Sequence, residues 1–420
     1  MRVSFVSQWY APEFGDGGVP KEIVTALAGL GHDMQVLTGF PNYPDGKVFP
    51  GYRQRFHQRD VVDSVPVHRA PLYPSHDTRL LRRAANYLSF ATSASMVAAS
   101  TLPVADATLV YSSPITAALP AMAIKARRGT PFVLLVEDMW PQSVTASGMS
   151  QGSADGPAQR ALHRLCDAIY RSAGAIAVTS PGMAELIADR GIDRDKVHFV
   201  PNWVDEDRYR PQPFDSRLKS SLGLTRPFTV MYAGNLGEAQ GLETVIDAAA
   251  LLREHADIDV ALVGGGVAEP ALRRRAADAR LDNIHFLGSK PPAEMPSVLA
   301  VADLHLVSLR PTELFRRTLP SKIQSLLAAG QPVLGCVEGD AAALIERSGA
   351  GWTTTPGEAA ELAAAVARIA TVETASLAQR GAAGREYYLA HLSRRAGARA
   401  LSDLLAGVRQ TPGARGEDGR

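Results

Sequence analysis

Cysteine is nearly missing from the 420 residues: only Cys166 and Cys336 occur, each in an apolar segment. Two distant cysteines exclude a disulfide framework and a thiolate zinc site; they read as buried thiols in a reducing compartment. Neither charge is in surplus. Lys and Arg total 44 against 43 Asp and Glu, whereas a nucleic-acid binder carries a large basic excess. Long hydrophobic runs are lacking as well. The most apolar stretch, residues 87–105, is interrupted by Ser, Thr and Pro, so no membrane-spanning helix is expected. Residues 1–7 read as a strand, without the apolar core or cleavage site of a secretory signal. A cytoplasmic protein is the expectation.

What is present is enough apolar sequence for ordinary cores, at 46% hydrophobic and 21% charged residues, over a length that suits two domains. Short β-branched runs alternate with Ala/Leu-rich runs, the rhythm of βαβ units around parallel sheets. The segments 2–7, 34–39, 107–112, 131–137 and 175–180 are predicted strands. Each is apolar almost throughout, as a strand covered on both faces must be. Helices are predicted near 18–30, 80–101, 114–127, 157–172 and 181–190. The rhythm then repeats. Strands are predicted at 228–234, 259–265, 283–288, 303–309 and 332–337, with helices near 241–255, 268–280, 293–301, 321–329, 358–370 and 376–406. The boundaries read as a first domain over 1–205, a Pro- and Ser-rich linker over 206–227 and a second domain over 228–385. A helix over 386–409 returns to the first domain, and a polar tail covers 410–420. Ligands of open α/β sheets bind outside the carboxyl ends of the strands, so a cleft between two such domains is the expected site.

The blocks FVSQWYAPEFGDGGVPKEIVTALAGLGHDMQVLTG, VEDMWPQS, VPNWVD, YAGNLGEAQGLETVIDAAALL, LVGGG, FLGSKP and LPSKIQSLLAAGQPVLG occur in that order over nearly the whole chain. Together they resemble the retaining GT-B glycosyltransferases of family four. The DMWP and GNLGEAQGL blocks look most like the fucose and N-acetylfucosamine transferases of bacterial surface-polysaccharide clusters. The resemblance implies an α/β fold of two Rossmann-like, doubly wound domains facing a cleft. It implies transfer of a sugar from a UDP- or GDP-linked donor to a glycan, lipid-linked or small-molecule acceptor. Retention, no cofactor and no metal are further implications.

Sugar transfer expels an anionic diphosphate, whose charge must be met by cations, a metal or backbone N–H groups. The strongest candidate is LPSKIQSLLAAG. Pro320 and Ser321 punctuate a helix start and Gly330 a stop. The free N–H groups and positive dipole end there suit phosphate oxygens. Lys322 sits in that first turn, an unfavourable place for a cation unless an anion joins it; Arg316 and Arg317 precede it. In GNLGEAQGL, Gly234 permits close backbone approach to a ligand. Where many relatives carry a basic pair in this block, this chain has Asn235 and Gln240, which moves the charge requirement onto Lys322. The family's paired Glu positions hold Arg317 and Ser325, leaving Ser325 to meet a ribose. Around Gly288 and Ser289, backbone groups are expected to hold the base, with Lys290 at the rim. The glycines of LVGGG are expected to serve their turn.

On the other domain, Gly17 and Gly18 follow the first strand and precede a helix, where their N–H groups suit a phosphate or the transferred sugar. Glu137 and Asp138 end a very apolar strand. By resemblance, Asp138 stabilises positive character at the anomeric carbon, with Glu137 as the alternative. Adjacent carboxylates point apart, which excludes the opposed acid/base pair of a glycosidase. Asp193-Arg-Asp195 and Asp257-Ile-Asp259 match the spacing of a metal-binding pair but sit in ordinary loop-to-strand positions. The ten His are scattered without ligand spacing. Residues 43–88 read as an acceptor-side insertion. Arg79, Arg82 and Arg83 open an apolar helix; such a face either lies on anionic membrane or is a solvated domain helix. The rival functions are a nucleotide-sugar 2-epimerase of the same fold and an inactive sugar-nucleotide-binding subunit.

Overall fold

The computed structural model describes residues 1–13, 18–76, 79–141 and 156–410. Gly17, Asp16 and the tail beyond residue 410 lie outside them. The chain divides into two compact units. One comprises residues 1–179, 183–200 and 397 onward; the other comprises 180–182 and 201–396.

The first unit is built on eight strands: β1 (Arg2–Val6), β2 (Asp33–Gly39), β3 (Gln58–Val62), β4 (Val65–Ala70), β5 (Ala107–Tyr111), β6 (Phe132–Val136), β7 (Ala175–Val178) and β8 (Val197–Phe199). They form one sheet in the order β3-β4-β2-β1-β5-β6-β7-β8. All neighbours are parallel except the β3–β4 hairpin. The order reverses at β1: the chain runs outward on one side through β2 and returns to start β5 on the other. The central strands are buried throughout, β6 as FVLLV, because helices such as Val19–Gly29 and Pro157–Ser172 cover the faces.

The second unit has six parallel strands: β9 (Phe228–Ala233), β10 (Ile258–Val263), β11 (Ile284–Gly288), β12 (Leu304–Ser308), β13 (Val333–Cys336) and β14 (Gly351–Thr354), ordered β11-β10-β9-β12-β13-β14. The period-two alternation of a strand splits its core in two. Val230, Tyr232 and Leu262 face Val245 and Val366 of the helices Glu243–Leu251 and Ala359–Ala370. Met231, Ala261 and Val263 face Ile323, Leu344 and Tyr388 on the opposite side. The parallel order and layered helices are those of a doubly wound Rossmann-like unit, so both halves have the predicted fold class.

Every predicted strand is present, and four more were not foreseen. β3 and β4 lie within 43–88; Pro66 and Arg69 disguise β4, and Arg69 is buried only because Asp60, Gly39 O and Ala11 O satisfy it. β8 is three residues long and half exposed, and β14 opens with a glycine. The predicted linker 206–227 is not loose. It holds the helix Ser216–Ser221, capped by Asp215, and it buries Leu224. The predicted helix 376–406 is two helices, Thr374–His391 and Arg394–Gln410, broken at Leu392–Ser393.

Candidate functional site

In the second unit the carboxyl ends of β9, β10 and β11 open into a cavity of about 360 Å³. Gly234, Asn235, Ser289, Lys290, Lys322 and Ser325, singled out in the sequence, are part of its lining, together with Tyr209 and His305, which were not. Apolar walls come from Met231, Met295, Leu299 and Leu326. The turns that end the strands are tightly packed. A side chain on Gly264 would collide with the Gly234 carbonyl, and one on Gly266 with the Leu236 carbonyl. The LVGGG glycines therefore serve backbone packing, and Gly264 and Gly265 line the cavity as a result. Gly288 adjoins it; its φ is +67° and its carbonyl accepts from Gly264 N.

Lys322 is the electrostatic centre of this cavity. It lies in the first turn of the helix Ser321–Ala328, which has no acidic residue there. Its Nζ has no hydrogen-bond partner among the described residues. It rests 3.6 Å from the centroid of the Tyr232 ring, and a Cβ on Gly234 would stand 3.0 Å from it. Desolvation by burial pushes its pKa down to about 7. A buried cation supported only by a ring face is incomplete, and an anion entering the cavity would complete it. Tyr232, which the sequence reading passed over as a strand residue, also fixes the turn by donating from its hydroxyl to Asn235 O at 2.8 Å.

The other predicted donor residues stand apart from the lining. Gln240 accepts from Gly237 N through Oε1, and its carbonyl accepts from Ser308 Oγ. It organises its own turn. Arg316 pairs with Glu338 at 2.6 Å, and Arg317 with Glu313 at 2.8 Å. Ser321 is exposed at the helix start. Asp259 accepts from Thr225 N, Arg226 N and His285. Burial alone would raise its pKa, but those partners hold it low. Asp193 caps the turn at Asp195 N. No group of three metal-ligating side chains occurs among the described residues.

In the first unit a pocket of about 340 Å³ opens at the carboxyl ends of β1 and β5, where the strand order reverses. Trp9, Gly18, Val19, Pro20, Tyr43, Tyr111 and Ser113 line it. Asp138 follows β6 and accepts from Ser113 Oγ at 3.2 Å. Its side chain keeps an exposed edge, yet desolvation raises its pKa, with the Ser113 bond pulling the other way. Burial, then Glu137 and Asp138, raise the Tyr111 phenol. Gly18 stands at the N-terminus of the helix Val19–Gly29. Gly18 thus lines the pocket, and Asp138 stands behind it through Ser113. The sequence reading missed Trp9, Tyr43, Tyr111 and Ser113, for which strand ends carrying aromatic residues were the available signal.

The helix Leu80–Ser100 leaves Leu81 (83%), Leu88 (52%) and Met96 (49%) exposed beyond its basic start. No helix among the described residues is long and apolar enough to cross a membrane.

Comparison with known proteins finds a family model for each half of the chain. The Glycosyl transferase 4-like domain model matches residues 19–203, and the Glycosyl transferases group 1 model matches residues 227–371. The chain is 28% identical over 330 residues to the colanic acid biosynthesis glycosyl transferase WcaI as named in Escherichia coli (strain K12), spanning 76% of this chain and 79% of that one. It is 28% identical over 376 residues to 2-deoxystreptamine glucosyltransferase of Streptomyces kanamyceticus, spanning 86% and 91%. Among solved structures, Anabaena Alr3699/HepE in complex with UDP superposes with a TM-score of 0.70 at 17% identity, over 97% of this chain and 100% of that chain.

Proposed function

Because the chain belongs to the group 1 glycosyltransferases of GT-B fold, we propose that it moves a sugar from a UDP- or GDP-linked donor to a glycan, lipid-linked or small-molecule acceptor, with retention and without a metal. The donor sugar is a deoxy or N-acetylamino sugar of the fucose type. The observation that carries the proposal is Lys322 Nζ, without a hydrogen-bond partner among the described residues, in the second unit's cavity.

The nucleotide occupies that cavity, with its diphosphate at the start of the helix Ser321–Ala328. Lys322 and the helix N–H groups meet the charge that develops as the bond from phosphate oxygen to the anomeric carbon breaks. In a poorly solvated site that attraction is far stronger than in water. Asp138, held by Ser113, binds a sugar hydroxyl and stabilises positive character at the anomeric carbon; Glu137 shapes the field beside it. The acceptor oxygen bonds to the anomeric carbon on the face the phosphate leaves, and its proton passes to the departing phosphate oxygen. The acceptor occupies the first unit's pocket. Peripheral contact with an anionic membrane, through the exposed face of the helix Leu80–Ser100 and its arginines, presents the enzyme to a lipid-linked acceptor.

The test is a matrix of UDP- and GDP-sugars against octyl glycosides, a polyprenyl-diphosphate sugar and 2-deoxystreptamine, in EDTA. Release of the nucleoside diphosphate together with a glycosylated product is expected. Absence of turnover for every pair, or turnover only with added divalent cation, counts against the proposal.

A further inference from the structure

Glu13 is a carboxylate buried to 1% exposure in the first unit. Burying a charge is costly, and desolvation pushes the Glu13 carboxyl up to about 7 even though three hydrogen bonds pull the other way. Oε2 accepts from Tyr10 N at 3.0 Å, and Oε1 accepts from Asn42 N at 2.7 Å and Tyr43 N at 2.9 Å. The three donors belong to two loops, one after β1 and one after β2. Glu13 therefore ties together two chain segments that run on beyond the sheet's own ladder. Each tied loop carries an aromatic residue into the 340 Å³ pocket, Trp9 from one and Tyr43 from the other. Their ring centroids are 5.7 Å apart with planes at 55°, so they form a corner and not a flat stack.

We propose that Glu13 is a positioning residue for the acceptor: by clamping the loops after β1 and β2 it holds Trp9 and Tyr43 as the corner against which a sugar ring of the acceptor packs. The inference rests on the transferase reading above and names the wall that recognises its acceptor. An aromatic face suits the C–H face of a pyranose, and Ser113 and the Tyr111 phenol on the same pocket offer partners to ring hydroxyls. Beyond the clamp, Trp9 meets Tyr87 and Tyr43 meets His76 edge-on, contacts that do not set how the two loops sit against each other. Without the clamp the geometry of the corner ceases to be preset for a ligand, and binding weakens more than chemistry.

The experiment compares wild type, Glu13→Gln, Trp9→Ala and the double variant, using the octyl glycoside that supports turnover in the matrix above. Glu13→Gln keeps the shape but replaces one accepting oxygen with a donor that faces main-chain N–H. The acceptor KM is expected to rise about tenfold with kcat within about twofold, and the Kd for UDP should not change. Trp9→Ala gives a similar rise. The double variant should be little worse than either single one, because both remove the same wall. An unchanged acceptor KM in Glu13→Gln, a loss confined to kcat, or fully additive effects would overturn the assignment. Should Glu13→Gln fail to fold by circular dichroism, Trp9→Ala and Tyr43→Ala decide: a raised acceptor KM in both supports the ring corner, and an unchanged KM in either removes it. If wild type turns over no pair, the transferase reading has failed; if wild type is active and the KM values stay put, only the role of Glu13 has.

Discussion

At the scale of single residues, Lys322 sets two opposite pH trends. Its folded pKa lies near 7 against an ordinary 10.5. Between those values the unfolded chain binds a proton that the folded chain does not, so folding stability in the absence of ligand rises with pH across that window. This contribution is lost as pH falls through 7. Binding a diphosphate requires the charged form. UDP affinity should therefore fall about tenfold per pH unit above 7, until the bound-state pKa is reached. Isothermal titration with UDP at pH 7, 8 and 9, beside thermal melts of the free protein, reads both slopes. Lys322→Ala should abolish both and lower kcat about a hundredfold, the scale of losing one group that stabilises a developing anion. A Lys322→Ala enzyme with wild-type kcat would dismiss the diphosphate site.

Residue chemistry was only partly readable in advance. Lys322 stood out because a cation in a helix's first turn is out of place. Its burial against Tyr232 depends on β9 and the helix Ser321–Ala328 meeting across ninety residues of chain, which no local pattern records. Arg316 shows the converse. It looked like a phosphate ligand, but Glu338 claims it at 2.6 Å. Glu13 carried no local signal, because its three partners are main-chain N–H groups placed by two separate loops.

At the scale of elements, central strands announce themselves and edge strands do not. β6 and β10 are buried along their whole length, so their sequences are continuous apolar runs. β3 alternates half-buried and exposed positions, and its pairing with β4 depends on a hairpin at Asp63 and Ser64, both with positive φ. Such strands resemble loops until the sheet is formed. Helix crossings are equally silent. Gly381 lets the helix Thr374–His391 pass against the Gly330 carbonyl that follows the helix Ser321–Ala328, where any Cβ would collide. Gly381→Val should destabilise the second unit by about 1–3 kcal/mol through overpacking, measured as a lower urea midpoint with unchanged m. For the helix Leu80–Ser100, replacing Leu81, Leu88 and Met96 together by Asp should abolish sedimentation with phosphatidylglycerol vesicles while turnover of a soluble acceptor persists. Equal sedimentation of that variant and wild type would remove the membrane contact from the proposed function.

At the scale of the whole molecule, each unit has its own sheet and its own buried core. The doubled βαβ rhythm set the expectation of two sheets, each repeat of five apolar runs supplying the central strands, to which β3, β4 and β8 are added in one sheet and β14 in the other. The boundary between the units was less legible, because residues 201–227 are polar yet pack on the second unit. Two cores allow two unfolding transitions. Saturating UDP should raise the midpoint of one transition, that of the second unit, by mass action and leave the other nearly still. Calorimetry with and without UDP shows this as a widening gap between two peaks. A single peak shifting intact would show that the units unfold together.

The helix Arg394–Gln410 gives the order of synthesis a structural meaning. Its Leu401, Leu405 and Val408 are buried with the first unit, and Ser402 Oγ meets His32 Nε2 at 2.9 Å. The first unit thus stays unfinished until Leu401, Leu405 and Val408 have been made, while the second unit has its full complement by residue 396. A nonsense codon near position 395 would therefore leave the first unit with an uncovered apolar seam rather than give a shorter enzyme.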